Sequence, residues 1–322
     1  MQRLSNAVFN GDSITHGSKA AKPVYPEIVA EHFGLRLTNL AIGGTMISAP
    51  EYPNVFDSAD PDHINGQLLI DGKQVDDSAY NTTGYIDISG YPTSVHSMIQ
   101  LISESVSITS VRAYTFYDEN KTIVSSHGTA SAAAAPHSYL MRPTKQPEIR
   151  YVRIAYPAAA AADLQIRFTL RYPLVWRYNE MPQDAELIVI AAGTNDHTYA
   201  LAPLGTFDDR TPFTFYGALH LLCLGLLERY IGKQLVFATP IKRHNGNYIN
   251  KRGESLELYA DTIKEVCAHY GIPVLDMFRE CTLNPGIPSQ LAAFFDDTSH
   301  PNQAGHAIMA RRWIGYLKQL LV

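Results

Sequence analysis

The sequence predicts an α/β protein: a doubly wound parallel sheet of five strands, split by an antiparallel β-sandwich insertion. Three observations predict it. Strand-like apolar runs alternate with helical apolar spacing at both ends of the chain, the rhythm of a parallel sheet with crossover helices. From about residue 53 to 173 that rhythm gives way to short β-rich runs separated by turn signals. Residues 186–192, Glu-Leu-Ile-Val-Ile-Ala-Ala, form a nearly continuous apolar run, as a central strand covered on both faces does.

The elements follow in order. Ala7, Val8 and Phe9 form the first strand. Residues 26–34 have helical apolar spacing and a glycine stop. Residues 35–40 read as a second strand. In the insertion, turn signals at 70–73, 80–84, 118–121 and 126–129 separate strand-like runs at 85–88, 106–109, 111–117, 151–155 and 164–170. The alanine tracts at 132–135 and 158–162 flank prolines and read as loops. The βα rhythm resumes with strands at 186–192, 235–239 and 273–276 and helices at 213–232, 254–270 and 303–320. Each of the five strands is expected to be followed by a helix. The expected domains are 1–52 with 174–322, and an inserted β-sandwich at 53–173. The insertion leaves after the second strand, at the edge that carries the strand C-termini, which places it beside the site.

The 322 residues carry a net charge of −5, with Lys and Arg scattered along the chain, so nothing points to a nucleic-acid partner. No apolar run reaches the roughly 18 residues of a membrane helix. Oligomerisation is left open. Met1-Gln2-Arg3-Leu4 leads directly into the first strand, with no signal peptide. The expectation is a cytoplasmic protein, a domain of a surface or phage protein, or a chain whose leader has been removed. Cys223, Cys267 and Cys281 form neither a disulfide framework nor a metal spacing.

The chemistry concentrates in loops that follow strands. Asn10-Gly11-Asp12-Ser13 places a serine just past a strand end, where open α/β sheets bind ligands. Asp297-Thr298-Ser299-His300 lies before the last helix. Serine acyl transfer needs a nucleophile, a base, a group that orients the base, and donors for the oxyanion. Ser13 fits the first role, His300 the second and Asp297 the third. The Ser13 and Gly44 backbone N–H groups and the Asn195 side chain fit the last. Ser13 also reads as a helix N-cap, a role compatible with nucleophilicity. Asp12 reads as structural rather than catalytic. It is grouped with His197, Lys242 and Arg243 as lining the substrate cleft. Asp196 reads as a buttress of its loop and His306 as helix packing. His16 stands near the site by sequence, and His220 and His244 carry no assigned role. A hydrolytic metal held by Asp12, Asp196, Asp297 and His300 is the alternative; it leaves the serine unexplained, and no paired-histidine cluster supports it.

The motif set resembles the SGNH hydrolases, the GDSL-type esterase and lipase superfamily. Asn10-Gly11-Asp12-Ser13-Ile14-Thr15-His16-Gly17 is similar to its first block, with isoleucine where many members have leucine. Asn39-Leu40-Ala41-Ile42-Gly43-Gly44 is similar to the second, and the resemblance assigns the oxyanion donor to Gly44. Gly193-Thr194-Asn195-Asp196 is similar to the third, with Asn195 the donor, and Asp297-Thr298-Ser299-His300-Pro301-Asn302 to the last. The resemblance covers about 1–52 and 174–322. It implies a flavodoxin-like α/β/α three-layer fold and ester hydrolysis with no metal and no cofactor. The insertion resembles β-sandwich modules of phage tail and bacterial surface proteins, many of them carbohydrate-binding.

Ester choice falls to the loops at 197–212, 242–253 and 284–290. Lys242, Arg243, Asn245, Asn247 and Asn250 make the second polar, which suits a sugar ester better than a long acyl chain. The expected substrate is an acylated carbohydrate or another small ester, with O-acetyl groups foremost. The rivals are a lysophospholipase or thioesterase of the same fold, and a glycan-binding surface or phage protein with a vestigial site.

Overall fold

The computed structural model describes residues 4–50, 54–70, 72–89, 97–103, 105–106, 108, 110–111, 113–127, 130–131, 137–141, 148–170, 173–243 and 248–321. The chain divides into two compact units, residues 1–51 with 170–322 and residues 52–169.

The first unit holds strands β1 (Asn6–Gly11), β2 (Arg36–Asn39), β3 (Leu187–Ala191), β4 (Gln234–Ala238) and β5 (Val274–Leu275). They form one parallel sheet in the order β2-β1-β3-β4-β5. This order reverses direction between β1 and β3, and the crevice at such a switch point is where doubly wound sheets bind ligands. The helices are α1 (Ser13–His16), α2 (Tyr25–Phe33), α3 (Leu174–Arg177), α4 (Thr194–Tyr199), α5 (Phe215–Arg229), α6 (Leu256–His269), α7 (Met277–Glu280), α8 (Pro288–Phe294) and α9 (Gln303–Leu320).

Side chains alternate across the pleat, so each strand feeds two cores. Val8, Ile188, Ile190, Leu235 and Phe237 pack with Leu219, Leu222 and Leu226 of α5 and Ile263 and Val266 of α6. Ala7, Phe9, Leu187, Val189 and Val236 pack on the other face with Tyr25 and Val29 of α2 and Trp313 and Leu317 of α9. The result is a three-layer α/β/α unit. Burying one such large apolar side chain contributes roughly 1.5–3 kcal/mol, which is why the helices dock by their apolar stripes.

In the second unit, strands Ile64–Ile70, Lys73–Thr82, Tyr151–Pro157, Ala113–Tyr117 and Ile123–His127 pair antiparallel in that spatial order, with Ile86–Asp87 also on Tyr151–Pro157. A three-stranded sheet runs His137–Met141, Ser97–Ile102, Gln165–Leu170, and a short pair joins Ser110–Val111 to Ala130–Ser131. Ile99, Leu101, Ile166 and Phe168 share one core with Phe116, Val152 and Ile154.

Several expectations are corrected. Strand β2 is not followed by a helix of its own; it is an edge strand, and the chain passes from it through 40–50 to the second unit. The 158–162 alanines, expected as loop, begin with a 3-10 turn at Ala158–Ala160. The expected loops at 197–212 and 284–290 are shortened by α4 and α8. Strands Ile64–Ile70 and Lys73–Thr82 were not legible in the sequence, because Lys73–Thr82 is exposed over most of its length and lacks an apolar face. The alanine tract at 132–135 lies outside the described residues.

Candidate active site

Strand β1 ends at Gly11, where a Cβ would stand 2.1 Å from Ala191 O of β3. Only glycine lets the two strand ends approach this closely. Asp12 follows as the N-cap of α1, its carboxylate accepting from Ile14 N–H at 3.0 Å. The capping role expected for Ser13 therefore belongs to Asp12, and Ser13 is the first helical residue. Burial raises the Asp12 carboxyl to about 6 against the pull of the Ile14 N–H and the nearby Arg243.

Ser13 Oγ lies 2.9 Å from His300 Nε2. On the other side of the ring, His300 Nδ1 lies 2.9 Å from Asp297 Oδ2 and 3.1 Å from Oδ1. The tautomer consistent with this network carries the proton on Nδ1, donating to the carboxylate, so that Nε2 accepts from the serine. Asp297 reaches the ring from three residues away because its Oδ1 also accepts the Ser299 and His300 N–H groups, at 2.7 and 2.8 Å, closing a tight turn. Burial alone would raise the Asp297 carboxyl. The Lys19 ammonium, the His300 ring and the two backbone donors outweigh it and hold the group well below the usual carboxylate range.

The second and third loops are tied to one another. Gly44 has φ +77°, the left-handed region that favours glycine. Asn195 Nδ2 donates to Thr45 O at 2.9 Å, leaving its second amide hydrogen. Asp196 is buried and accepts from Ile47 N–H, Ser48 N–H and Ser48 Oγ at 2.9, 2.9 and 2.6 Å. It braces the segment after Gly44 rather than its own loop. Burial raises its carboxyl to about 6 despite those donors. Ile42 N–H donates to Gly11 O at 3.0 Å, and Asn39 Nδ2 donates to Thr15 O at 3.0 Å. These bonds anchor the Gly44 loop to the serine segment. Among the described residues, no protein acceptor pairs with the Ser13 or Gly44 N–H.

The residues expected to line the cleft separate into two groups. Asp12 is 3% exposed and His197 0%. His197 Nε2 sits 3.1 and 3.2 Å from the Tyr248 and Glu254 carbonyls, so the ring is structural, and burial pushes its pKa down. Neither has an open face for a substrate. Asn250 is also turned inward, its Oδ1 accepting the Arg252 and Glu254 N–H groups. The Lys242 ammonium stands 4.2 Å over the Phe278 ring. Arg243 is beside the site: Nε and Nη2 donate to Ser299 Oγ at 3.1 and 2.5 Å, and Nη1 donates to Thr198 Oγ1. His244, Asn245 and Asn247 lie outside the described residues. His306 is buried and stacked on Tyr25, centroids 5.9 Å apart. Beneath the serine helix, Asp12, Thr15, Tyr25, Thr239, Met277 and Trp313 line a pocket of about 20 Å³, room for about one water. Among the described residues, no group of three or more His, Cys, Asp or Glu is placed to hold a metal ion.

A family model described as GDSL-like Lipase/Acylhydrolase matches residues 128–308, more than half of the chain. The chain belongs to the GDSL-like lipase/acylhydrolase family. It is a carboxylic ester hydrolase, and the family implies small ester substrates. The match includes Asn195, Asp297 and His300, begins inside the second unit, and stops short of Ser13 and Gly44. A crystal structure of a protein from Lactobacillus plantarum is similar over 99% of both chains, at 20% identity and a TM-score of 0.57, and shares the fold. A lipase/acylhydrolase from Enterococcus faecalis is similar at 13% identity over 98% of this chain and 96% of its own, with a TM-score of 0.45. An acetylxylan esterase from Geobacillus stearothermophilus is similar at 14% identity over 98% and 95%, with a TM-score of 0.43. No curated protein matches the chain. No helix among the described residues is long and apolar enough to cross a membrane.

Lys19 and Arg243 stand out as residues that bear on the site, and only Arg243 was expected there. Lys19 Nζ lies 2.5 Å from Asp297 Oδ2, a contact with no motif or periodicity to announce it.

Proposed function

We propose that this hydrolase is a serine esterase acting on short acyl esters, with O-acetyl groups on carbohydrate as its substrates. The observation that carries the reading is the continuous line Ser13 Oγ, His300 Nε2, His300 Nδ1, Asp297 Oδ2, with a separation of 2.9 Å at each end of the ring. A serine hydroxyl is a weak nucleophile until a base takes its proton, and this arrangement supplies the base and orients it.

Ser13 Oγ attacks the ester carbonyl carbon as its proton passes to His300 Nε2. The carbonyl oxygen becomes an oxyanion, received by the Ser13 N–H, the Gly44 N–H and the Asn195 amide. Asp297 stabilises the imidazolium. The tetrahedral species collapses, His300 gives its proton to the departing alkoxide, and the acyl group remains on Ser13. A water then loses a proton to His300 and attacks the acyl carbon. Collapse returns that proton to Ser13 Oγ and releases the acid.

The preference for a sugar ester rests on the polar cluster that adjoins His300 through Ser299: the Arg243 guanidinium with the Ser299 and Thr198 hydroxyls. Such groups bond hydroxyl-rich substrates, whereas a long acyl chain needs an apolar groove. The inserted unit is read as a carbohydrate-binding-like module that holds or flanks a polymer.

The test is acetate release from p-nitrophenyl acetate and from acetylated polysaccharides, by wild type and Ser13→Ala. Serine-dependent release from a polysaccharide is expected. Cleavage of p-nitrophenyl octanoate far faster than of the acetate overturns the short-acyl reading in favour of a lysophospholipase or thioesterase. Binding in a glycan array by Ser13→Ala, with no turnover by wild type on a wide ester panel, overturns the esterase reading itself.

A further inference from the structure

We infer that Lys19 is a positioning residue for the Asp297–His300 pair, holding the carboxylate from the nucleophile's own segment. The role rests on the serine esterase reading above.

The first observation is geometric. Asp297 Oδ2 takes two donors, His300 Nδ1 at 2.9 Å and Lys19 Nζ at 2.5 Å. Ser13 and Lys19 belong to one segment of chain, His300 and Asp297 to another. The segments therefore meet at two points, hydroxyl to imidazole and ammonium to carboxylate. A single hydrogen bond leaves one segment free to pivot about it; two fix the relative orientation. Gln303 Nε2 donates to Lys22 O at 2.9 Å and ties the same two segments a third time.

The second observation is the backbone. Lys19 has φ +69°, a conformation that side-chain-bearing residues other than Asn and Asp seldom adopt. Glycine or asparagine fits such a position at lower conformational cost. A lysine held there, with its ammonium delivered to the acid of a Ser–His–Asp line, is the pattern of backbone strain kept at a working site.

The consequence falls on the attack step. An imidazolium forms on His300 during attack, and Asp297 stabilises it. The Lys19 ammonium shares Oδ2 with the His300 ring and holds the carboxylate against Nδ1 in that step. The other charged groups near this pair are Asp296, close to the Lys19 ammonium; Arg243, whose charge interacts with Asp297; and His306, whose charge interacts with His300. All of them remain when Lys19 is changed. The pair is partly exposed, with Lys19 at 58% and Asp297 at 30%, so solvent screening keeps the effect modest.

The experiment is the separate measurement of kcat and KM on p-nitrophenyl acetate for wild type, Lys19→Met, Lys19→Asn and Lys19→Arg, with Ser13→Ala as the control. Lys19→Asn suits the left-handed backbone, so loss of the effect through misfolding is separated from loss of the charge. The expected result is a kcat about threefold lower, with KM unchanged, in the Met and Asn variants and restored in the Arg variant. In 1 M NaCl the wild-type kcat is expected to approach that of Lys19→Met. If hydrolysis depends on Ser13 and kcat is unchanged in both neutral variants, the role of Lys19 is overturned and the esterase reading stands. If hydrolysis survives in Ser13→Ala, the reading of the site fails and the role of Lys19 with it.

Discussion

The two units bury polar side chains in different ways. In the parallel unit every strand runs the same direction, so the loops after β1, β3 and β4 emerge at one edge and bring Ser13, Asn195 and Arg243 there. The polar groups at that edge include a hydroxyl, an imidazole and a carboxylate in a line, and backbone donors with no protein acceptor. In the antiparallel unit, neighbouring strands run in opposite directions and the buried polar groups are scattered. Arg153 donates to the Thr83 and Asp62 carbonyls, Asn81 Oδ1 takes the Gly66 N–H, and His63 meets Tyr156 Oη. These contacts satisfy backbone and one another. The difference teaches that burial of polar groups alone does not mark a reactive site; convergence with unspent donors does.

The largest expected effect breaks the comparison at its reactive end. Ser13→Ala lowers kcat on p-nitrophenyl acetate by roughly 10⁴-fold or more with an unchanged melting temperature. Asp297→Asn lowers kcat by about 10³–10⁴-fold, because the amide favours the wrong imidazole tautomer. Asn195→Ala removes one proposed oxyanion donor, with an expected loss of about 2.7–4 kcal/mol in the barrier or roughly 10²–10³-fold in kcat. Unchanged turnover would remove Asn195 from the mechanism.

The scattered polar groups predict the opposite behaviour. Arg153→Met leaves the Thr83 carbonyl buried without its donor and lowers unfolding stability by about 1–3 kcal/mol in a urea melt. Hydrolysis of the small ester is expected to keep its wild-type kcat. A loss of kcat without a loss of stability would erase the contrast between the units.

A smaller, pH-dependent effect sharpens the picture within the parallel unit. Burial holds His306 neutral, with its pKa lowered from 6.5 to about 4. Between those values the unfolded chain binds a proton that the folded chain does not. Its contribution is fully present above 6.5 and is lost as pH falls, by up to about 1.4 kcal/mol per pH unit. Asp12 and Asp196, raised to about 6, act in the opposite sense between 3.8 and 6, since there the folded state binds the extra protons. The wild-type curve is thus a composite, and the difference between wild type and His306→Gln isolates the histidine. That difference is expected to shrink steadily from pH 6.5 to 4 and to stay level from 7 to 8.

Much of the parallel unit was legible because its signals are local. Strands β3 and β4 are apolar on both faces, α9 has a clear apolar stripe, and Gly11-Asp12-Ser13 and Asp297 to His300 are short turns whose chemistry is written in adjacent residues. The pairing of Ser13 with His300, 287 positions apart, followed from the need of a serine nucleophile for a base, with one turn after a strand and the other before the last helix. What escaped depends on tertiary context. The Lys19 contact needs a left-handed backbone and a long flexible side chain, and neither leaves a periodic trace. The burial of Asp12, His197 and Asn250 turns on which way a loop residue faces, and spacing does not encode that. Strands Ile64–Ile70 and Lys73–Thr82 carry too little apolar alternation to announce themselves.

The proposed mechanism turns on Ser13 Oγ as the atom that takes up the acyl group. The deciding measurement is the mass and peptide map of the protein after reaction with a fluorophosphonate ester, which phosphonylates an activated serine. One adduct is expected, on Ser13, that forms in Asn195→Ala and is lost in His300→Ala. An adduct on another residue, or an adduct on Ser13 that forms equally fast without His300, would contradict it.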